Sequence, residues 1–543
     1  LDSLPTPPIR SFGFTAESPL IPNKWVVRLE QVSGRKGYFL LDLHSGHLRP
    51  AGLFGGFDKV FFDHRFQLAA AQKRNAAGGN TLLVRSDQGW DTLAHTPFHP
   101  DMFLGGFTQI LSVSGDGKTV WFTSHQNRDK AALFAYDRPT QTTRLLAEDP
   151  KADILPLAAS FDPQNNPTSV VALFADTRRH IINPDYAGDF AFLEKNLPGQ
   201  VGWAGASADG QTWLVRALTG GPERFYLYQR PDKKLTPLFS DHEALEGYTL
   251  ATRHAFAVRT RDGLELPVHV YLPPDADQND DGIPRSPLPT VIYVHGGPWL
   301  GLVQWNRWFF TRNFQLLANR GYAVINMEFR GTTGLGKAMT DAGDRQWGKA
   351  MLHDIEDVAQ WALSNGIAHP DRLGIWGWSY GGYAAAAALA FAPERFACGI
   401  SMYGPYDMEA FGLLPFTDNE LWRTRVGNPN TPEGAALLRE ISPAHHVERI
   451  RAPLYLSTGG KDERVPQKLV DEFARKLVAA GKDVLYTVYP EEGHDYRAPE
   501  SWISFWAIGE AFLHRHLGGA FEPYGEDLEK GDFQLIFGEL PNP

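Results

Sequence analysis

Cysteine is almost absent from this sequence, because Cys398 is the only one among 543 residues. No disulfide can therefore form within the chain. Cys398 lies in the apolar run FACGISMY, which predicts a buried structural thiol. No apolar run reaches the roughly 18 residues that a membrane-spanning helix requires, so no membrane span is predicted.

An excess of positive charge is also missing, since 52 Lys and Arg stand against 63 Asp and Glu. A nucleic-acid partner is not expected, because phosphate binding requires clustered basic side chains.

The length predicts two or three domains. The chain begins at Leu1 and not at methionine, so we expect a processed or truncated N-terminus. A cytoplasmic or an exported location and a homo-oligomer are all compatible with the sequence.

Helical periodicity is scarce in residues 1–250, where short β-type runs alternate with turn residues. Asp116 in SGDGKTVWF, Asp162 in SFDPQNNPTSVV and Asp209 in SADGQTWLV recur at steps of 46 and 47 residues, and Asp63 is a weaker copy. A period near 46 with about four strands per unit is typical of a β-propeller. We predict an all-β propeller domain of about five or six blades over residues 1–254. A chance similarity among turn-rich β sequences is the alternative.

The hydrophobic pattern changes near residue 255, where apolar strand-like runs begin to alternate with helical patterns. Strands are predicted at 290–294, 322–327, 373–378, 398–403, 453–458 and 484–489, and helices near 308–319, 354–365, 380–391, 467–480 and 500–516. This alternation predicts a doubly wound, mostly parallel sheet, an α/β-hydrolase domain over residues 255–520. Residues 521–543 are predicted to form an acidic C-terminal extension.

Ser379 stands in GWSYGGY, between a predicted strand and a predicted helix. The pattern G-x-S-x-G in this setting is the nucleophile elbow, a tight turn that exposes the serine hydroxyl. A serine hydroxyl needs a base. Asp462 in GGKDERVP and His494 in EEGHDY follow in the order that this fold requires, each just past a predicted strand. The alternatives are a helix-capping aspartate and a surface-loop histidine.

Acyl transfer also requires hydrogen-bond donors for the developing oxyanion. The backbone N–H of Tyr380, directly after the nucleophile, is the first predicted donor. The second is expected from HGG at 295–297, with Gly297 preferred and Gly296 as the other choice. The HGG segment could instead be only a tight turn, and His295 itself is expected to be structural.

Aromatic residues are dense in the loops predicted to flank Ser379. They are Trp299, Trp305, Trp308, Phe309, Phe411, Phe416 and Trp422. We interpret Trp299, Phe411 and Trp422 as substrate-binding residues of a hydrophobic pocket, which predicts a preference for apolar or aromatic residues at the cleaved bond. Ordinary core packing is the alternative.

A weaker signal lies in DADQNDDGIP at 275–284. Asp277, Asn279 and Asp281 match the start of a calcium-binding loop, but Leu288 stands at the twelfth position, where a bidentate Glu is needed. A solvated acidic linker is the favoured interpretation, and no metal is predicted.

The motifs together resemble those of the prolyl oligopeptidase family of serine peptidases, in its acylaminoacyl-peptidase and dipeptidyl-peptidase-like branch. They are HGGP (295–298), FRGTTGLG (329–336), GWSYGGY (377–383), GGKDERVP (459–466) and EEGHDY (491–496). No cofactor is expected. The resemblance implies that the propeller restricts access to the active site, so that peptides enter and folded proteins do not. It also implies that Arg464 binds a substrate carbonyl, with a salt bridge to Glu463 as the alternative. Family members that release dipeptides commonly carry paired glutamates in the propeller, and no such pair occurs before residue 250.

These observations predict a serine hydrolase that cleaves short or N-acylated peptides through an acyl-enzyme on Ser379. A carboxylesterase acting on small acyl esters would use the same three residues. A propeller binding protein with an inactive hydrolase domain is a third candidate, against which the complete Ser-Asp-His order argues.

Overall fold

The computed structural model describes residues 9–31, 36–52, 56–74, 79–96, 108–301 and 308–541. The chain divides into two units. The first comprises Leu1–Leu218, Glu223–Glu243 and Gly334–Lys337, and the second comprises Thr219–Pro222, Ala244–Thr333 and Ala338–Pro543. The predicted boundary between residues 254 and 255 stays a prediction. No helix in the described ranges is long and apolar enough to cross a membrane.

Five antiparallel sheets follow one another along the first unit, four of them with four strands and one with three. The strands, sheet by sheet, are β1 Ile9–Glu17, β2 Lys24–Gln31, β3 Lys36–Asp42 and β4 Leu48–Gly52; β5 Lys59–Phe62, β6 Leu68–Arg74, β7 Asn80–Ser86 and β8 Gly89–His95; β9 Gln109–Val113, β10 Thr119–Ser124, β11 Ala132–Asp137 and β12 Thr142–Ala147; β13 Ile154–Phe161, β14 Pro167–Phe174 and β15 Asp176–Ile181; and β16 Gln200–Ala206, β17 Thr212–Leu218, β18 Arg224–Gln229 and β19 Lys234–Ser240. The described residues thus form a five-bladed propeller, which confirms the predicted fold class.

The repeated aspartates mark the same turn in successive blades. The Oδ1 atom of Asp116 accepts hydrogen bonds from the Ser114 hydroxyl (2.8 Å) and the Lys118 N–H (3.1 Å). Asp209 accepts in the same way from the Ser207 hydroxyl and the Gln211 N–H. Asp63 and Asp162 also accept backbone N–H groups of the turn between the first two strands of their sheets. The sequence period therefore reports the same hairpin turn, closed by a carboxylate, in four of the five blades.

Within the described residues of the first unit, a helix that the sequence did not predict interrupts the β pattern. Helix α1, Ala187–Asn196, lies between β15 and β16. Its buried residues Phe190 and Leu193 belong to an apolar cluster with Trp213. Ten residues span too few turns for a strong 3.6-residue period, so the helix is stabilised by contacts distant in sequence.

The second unit is built on a nine-stranded sheet in the order β20-β21-β23-β22-β24-β25-β26-β27-β28. The strands are β20 Arg253–Arg259, β21 Glu265–Tyr271, β22 Leu288–Val294, β23 Ala323–Met327, β24 Ala368–Trp378, β25 Cys398–Met402, β26 Leu454–Gly459, β27 Val484–Tyr489 and β28 Gln534–Phe537. The helices are α2 Trp308–Asn319, α3 Lys337–Asp341, α4 Ala350–Ser364, α5 Tyr380–Phe391, α6 Met408–Gly412, α7 Glu420–Arg425, α8 Pro432–Glu440, α9 Gln467–Ala479, α10 Pro499–Leu517 and α11 Glu526–Glu529.

The strands from β22 to β27 pair in parallel, as predicted for an α/β-hydrolase sheet. Every residue of β23, β25, β26 and β27 is buried, because helices cover both faces of a parallel sheet. Antiparallel strands lie at both edges. One of them, β28, comes from the predicted acidic extension and pairs with β27. Cys398 is buried in β25, in agreement with a structural thiol.

The arginine of FRGTTGLG holds two acidic side chains together behind the sheet. Arg330 Nη2 lies 2.7 Å from Asp354 Oδ1, and its Nη1 lies 2.8 Å from Asp262 Oδ2. The side chain of Asp354 is 0% exposed, whereas that of Asp262 is 49% exposed. Hydrogen bonds from Arg330 hold the pKa of the Asp262 carboxyl well below its usual range.

We expect Arg330→Met to lower the free energy of unfolding by about 3–5 kcal/mol, because the buried Asp354 carboxylate loses its partner. Chemical denaturation followed by tryptophan fluorescence would measure the change. Arg451→Met, which removes a surface pair with Glu394, is the matched control and should leave unfolding unchanged. Equal losses in the two variants would contradict the structural role assigned to Arg330.

Candidate active site

Ser379 occupies the turn between the end of β24 and the start of α5. Its backbone has φ 58° and ψ −120°, a conformation that costs about 1–3 kcal/mol and is typical of functional sites. A Cβ on Gly381 would lie 1.9 Å from the Val294 carbonyl oxygen, and one on Gly377 would lie 2.3 Å from the Gly381 backbone. The glycines of GWSYGGY are therefore required, because the helix begins in direct contact with the strands.

The side chains of Ser379, His494 and Asp462 form one hydrogen-bonded row. The Ser379 hydroxyl donates to His494 Nε2 over 2.9 Å, and His494 Nδ1–H donates to Asp462 Oδ2 over 2.7 Å. The other carboxylate oxygen of Asp462 accepts the backbone N–H groups of Arg464 and Val465, both over 2.8 Å. These bonds fix the carboxylate, so the imidazole is held with Nε2 toward the serine.

Two glycines allow the loops that carry Asp462 and His494 to approach each other. A Cβ on Gly459 would lie 2.2 Å from the Gly493 carbonyl oxygen, and one on Gly460 would lie 2.6 Å from the Pro490 carbonyl oxygen. The Lys461 N–H donates to the Glu492 carbonyl oxygen over 2.8 Å and ties the loops together. The first two residues of GGKDERVP thus have a steric role that the motif alone does not reveal.

Buried tyrosines border the row of three side chains. The ring of Tyr403 lies 4.9 Å from that of His494, and burial raises the pKa of its phenol well above the usual value. Burial also raises the pKa of Tyr380. Both phenols therefore stay protonated at neutral pH and cannot act as the base. Tyr403 was not predicted as a site residue, because nothing in SMYGPY distinguishes it from a core tyrosine.

The predicted oxyanion donors lie beside this turn. Tyr380 is the first residue of α5, so its N–H has no acceptor within the helix. A Cβ on Gly296 would lie 2.9 Å from the Trp378 ring, so the HGG segment contacts the residue before Ser379. Within the described ranges, neither the Tyr380 nor the Gly297 N–H has a hydrogen-bond acceptor.

The predicted substrate-binding aromatics pack around Trp422. Its ring centroid lies 5.3 Å from those of Trp299 and Phe411, and 5.7 Å from that of Phe416. Trp347, which was not predicted, links this aromatic cluster to the elbow, 5.8 Å from Trp422 and 4.5 Å from Tyr380. Trp299, Phe411 and Trp422 are all buried. Trp305 and the side chain of Phe309 lie outside the described residues.

A cavity of about 880 Å³ opens next to His494 in the second unit. Trp378, Tyr403, Arg464, Asp495 and Trp502 line it together with His494. Desolvation raises the pKa of the Asp495 carboxyl. The Arg464 guanidinium lies 5.8 Å from the centroid of the Phe416 ring.

The acidic segment at 275–284 forms local turns in which its carboxylates accept backbone N–H groups. Asp277 belongs to a group of potential ligands with His254 and Asp280, whereas Asp281 accepts the backbone N–H of Ile283. Asp277 itself accepts the N–H groups of Asn279 and Gly282. Asp277 and Asp281 thus each close a turn of this segment, and the interpretation that no metal binds there stays a prediction.

Comparisons of this chain with known proteins agree on one family. Residues 308–520 match the model of the Prolyl oligopeptidase family. Dipeptidyl aminopeptidase BIII of Pseudoxanthomonas mexicana is 35% identical over 489 residues, which cover 88% of this chain and 69% of that protein. Dipeptidyl peptidase family member 6 of Caenorhabditis elegans is 32% identical over 381 residues, which cover 66% of this chain and 50% of that protein. The chain therefore spans about half the length of this second relative.

The fold has a counterpart among solved structures. A puromycin-hydrolyzing peptidase of Mycobacterium tuberculosis superposes with a TM-score of 0.70 at 20% identity, over 95% of this chain and 80% of that one. At this identity the similarity supports the fold alone.

Proposed function

Because the chain belongs to the prolyl oligopeptidase family of serine peptidases, we propose that it hydrolyses short peptides with Ser379 as the nucleophile. The observation that carries the proposal is the hydrogen-bonded row from Ser379 through His494 to Asp462, with distances of 2.9 and 2.7 Å. For acyl transfer, a serine hydroxyl requires a base in contact with it and a carboxylate in contact with that base.

In the proposed reaction, Ser379 Oγ attacks the carbonyl carbon of the cleaved bond while His494 Nε2 takes the hydroxyl proton. The tetrahedral intermediate collapses when His494 donates that proton to the leaving amine, and an ester remains on Ser379. Water then attacks the ester carbonyl carbon and gives a proton to His494 Nε2. The C–O bond to Ser379 breaks as His494 returns that proton to Ser379 Oγ, and the carboxylic acid product leaves. Asp462 keeps the hydrogen on Nδ1 and stabilises the imidazolium formed in each step.

The negative charge of the intermediate falls on the former carbonyl oxygen. We assign its hydrogen-bond donors as the backbone N–H groups of Tyr380 and Gly297. The Tyr380 N–H lies at the positive end of the α5 dipole, which stabilises an adjacent anion. Gly296 contacts Trp378, so the HGG peptide groups lie at the same turn.

Two features of the second unit support a preference for particular residues beside the cleaved bond. We propose that the aromatic cluster around Trp422 forms the wall of an apolar pocket for the residue whose carbonyl is attacked, because Trp347 joins it to Tyr380. We propose that Arg464 binds a substrate carbonyl, since it lines the cavity beside His494 and its guanidinium lies over Phe416. Apolar or aromatic residues before the cleaved bond should therefore react faster than charged ones.

A fluorophosphonate probe tests the nucleophile directly, because it reacts only with an activated serine. We expect stoichiometric labelling of the intact chain, with the added mass located on the peptide that contains Ser379. Prior treatment with a good peptide substrate should slow labelling by competition. An unlabelled, folded protein would contradict the proposal and favour an inactive hydrolase domain.

The mode of cleavage is tested with matched substrates that share one acyl group. No paired glutamates occur before residue 250, but the similarity to a protein named a dipeptidyl aminopeptidase favours release of a dipeptide from a free amino terminus. We therefore expect a dipeptide anilide with a free amine to be cleaved faster than its acetylated form, and a folded protein to resist. Faster turnover of the acetylated peptide would favour an acyl-peptidase. Cleavage of short acyl esters without cleavage of anilides would favour a carboxylesterase.

A further inference from the structure

Arg312 lies where two cavities of the second unit meet, and the proposed reaction gives it no role. One is the cavity of about 880 Å³ beside His494, and the other has about 720 Å³ and lies along α2 and α10. Both volumes are within the roughly 300–1,000 Å³ typical of sites for drug-sized ligands. The two cavities adjoin, because they share five lining residues: Arg312, Asn313, Asp495, Arg497 and Trp502.

The position of the base indicates which part of a substrate enters these cavities. His494 donates a proton to the leaving amine, so that nitrogen must come within hydrogen-bond distance of His494 Nε2. The peptide that continues from this nitrogen therefore begins beside the cavity that His494 lines. The side chain of the acyl part is assigned to the aromatic cluster, which Trp347 joins to Tyr380. The cavity beside His494 is thus available to the leaving peptide.

The polar groups where the cavities meet suit an anion. Two of the three charged residues that both cavities share are arginines, Arg312 and Arg497, and the third is Asp495. Trp376, which lines the cavity beside His494, is buried, and its indole N–H has no hydrogen-bond acceptor among the described residues. A carboxylate accepts hydrogen bonds from guanidinium and indole N–H groups alike.

An aromatic ring supports the Arg312 side chain. The guanidinium lies 5.5 Å from the centroid of the Trp502 ring, and the Trp502 indole N–H donates to the Tyr496 carbonyl oxygen. Arg312 is half-buried, and desolvation lowers the pKa of its guanidinium. Arginine nevertheless stays charged near neutral pH. A partly desolvated cation attracts an incoming carboxylate more strongly than an exposed cation does.

Two further basic residues of these cavities already have acidic partners. Lys461 pairs with Glu491, and Arg320 lies 2.6 Å from Glu510 and 3.0 Å from Glu522. These ion pairs make Lys461 and Arg320 less available to a ligand than the arginines where the cavities meet.

The acidic residues near Arg312 differ in the same way. Glu492 accepts the backbone N–H groups of Arg497 and Ala498. Desolvation raises the pKa of the Asp495 carboxyl, and the charges of Arg312 and Arg497 oppose that rise. Asp495 is therefore the group that competes with a bound anion for the two arginines.

We propose that Arg312 binds the free C-terminal carboxylate of the leaving peptide, with the exposed Arg497 as a weaker second contact. The preferred substrates are then short peptides cut a few residues before a free C-terminus. The apolar side chains of the second cavity, among them Leu316, Ile503 and Trp506, would contact the side chain of the terminal residue. This proposal rests on the proposed role of Ser379 and adds a requirement at the other end of the substrate.

Two tetrapeptides of one sequence test the proposal, one with a free C-terminal carboxylate and one with a C-terminal carboxamide. The two share the cleaved bond, so the ratio of their kcat/KM values reports the end group alone. We expect the acid to have about tenfold higher kcat/KM in the wild type, the lower end of what a hydrogen bond to a charged group supplies. The ratio should fall as salt is added, because salt screens the attraction.

Arg312→Met keeps an unbranched side chain against Trp502 and removes the charge. We expect the ratio of acid to amide to fall to within about twofold of one. Arg497→Met should lower the ratio less, because exposed charges attract weakly. Arg515→Met is the matched control, since Arg515 is an exposed arginine of α10 that lines neither cavity, and the wild-type ratio should remain.

Asp495→Asn should change the ratio in the opposite direction. The substitution removes the carboxylate that competes for Arg312 and Arg497, so the preference for the acid should rise by about twofold or more. The ratio is taken within each variant, so any effect of this substitution on the neighbouring His494 cancels.

Equal kcat/KM values for acid and amide in the wild type would overturn the proposal, as would a preference of wild-type size in Arg312→Met. If Arg312→Met does not fold, Asp495→Asn decides, and a ratio no higher than that of the wild type would contradict the proposal. Failure of the proposed function has another signature, because the wild type would then cleave neither peptide and resist the fluorophosphonate probe. Calorimetric titration with the leaving dipeptide and its amide would still test the site, and equal affinities would rule it out.

Discussion

Ser379→Ala is expected to lower kcat for a peptide anilide by about 10⁶-fold, the size of loss found when a serine peptidase loses its nucleophile. Alanine keeps the Cβ and so tolerates the φ of 58° to the same extent as serine. The Ser379 N–H to Met402 and the Tyr383 N–H to Ser379 bonds are made by the backbone and remain. The fold should therefore be unchanged while the attacking oxygen is gone.

Steady-state kinetics and thermal unfolding of the same preparation would measure both parts of this prediction. The thermal midpoint should match that of the wild type, and fluorophosphonate labelling should disappear. Ser364→Ala, at the exposed end of α4, is the control and should keep full activity. Turnover by Ser379→Ala above about one thousandth of the wild-type rate would exclude Ser379 as the nucleophile.

Asp462→Asn is expected to lower kcat by about 10⁴-fold. The asparagine oxygen can still accept from the Arg464 and Val465 N–H groups, which orients its amide nitrogen toward His494. An amide nitrogen donates, so the imidazole must accept at Nδ1 and carry its hydrogen on Nε2. In that tautomer His494 cannot take the proton of Ser379.

The loss should appear in kcat, with the circular dichroism spectrum and the thermal midpoint close to those of the wild type. Asp471→Asn is the matched control, because Asp471 is also a hydrogen-bonded carboxylate, 2.7 Å from the Tyr486 hydroxyl, but is not in contact with His494. We expect little change in its kcat. If Asp462→Asn kept more than a tenth of the wild-type kcat, another acid would have to orient the imidazole.

Much of the architecture could be predicted from the sequence, because the patterns that indicate it lie within short segments of the chain. The aspartates at 116, 162 and 209 close the same turn in successive blades, so a period in the sequence became a period in the fold. Unbroken apolar runs predicted the parallel strands, since a strand covered on both faces has no polar side to display. The resemblance to the prolyl oligopeptidase family is confirmed by the family match.

Features that depend on distant contacts were missed or left open. Helix α1 is short and packs on Trp213, so its own sequence carries little of its stability. The interpretation of 275–284 as an acidic linker without a metal stays a prediction, and Asp277 and Asp281 accept nearby backbone N–H groups there. Trp347 and Tyr403 resemble core aromatics until their positions beside the elbow are known.

GWSYGGY, GGKDERVP and EEGHDY each encode a tight turn after a strand, and the glycines in them are required wherever backbone meets backbone. Those turns and their order along the chain followed from local pattern. The local pattern did not show that these turns lie together in space, because Ser379 and His494 are 115 residues apart in sequence although His494 Nε2 and Ser379 Oγ are 2.9 Å apart. A hydrogen bond forms or fails over a few tenths of an ångström, and only the packed sheet sets distances to that accuracy.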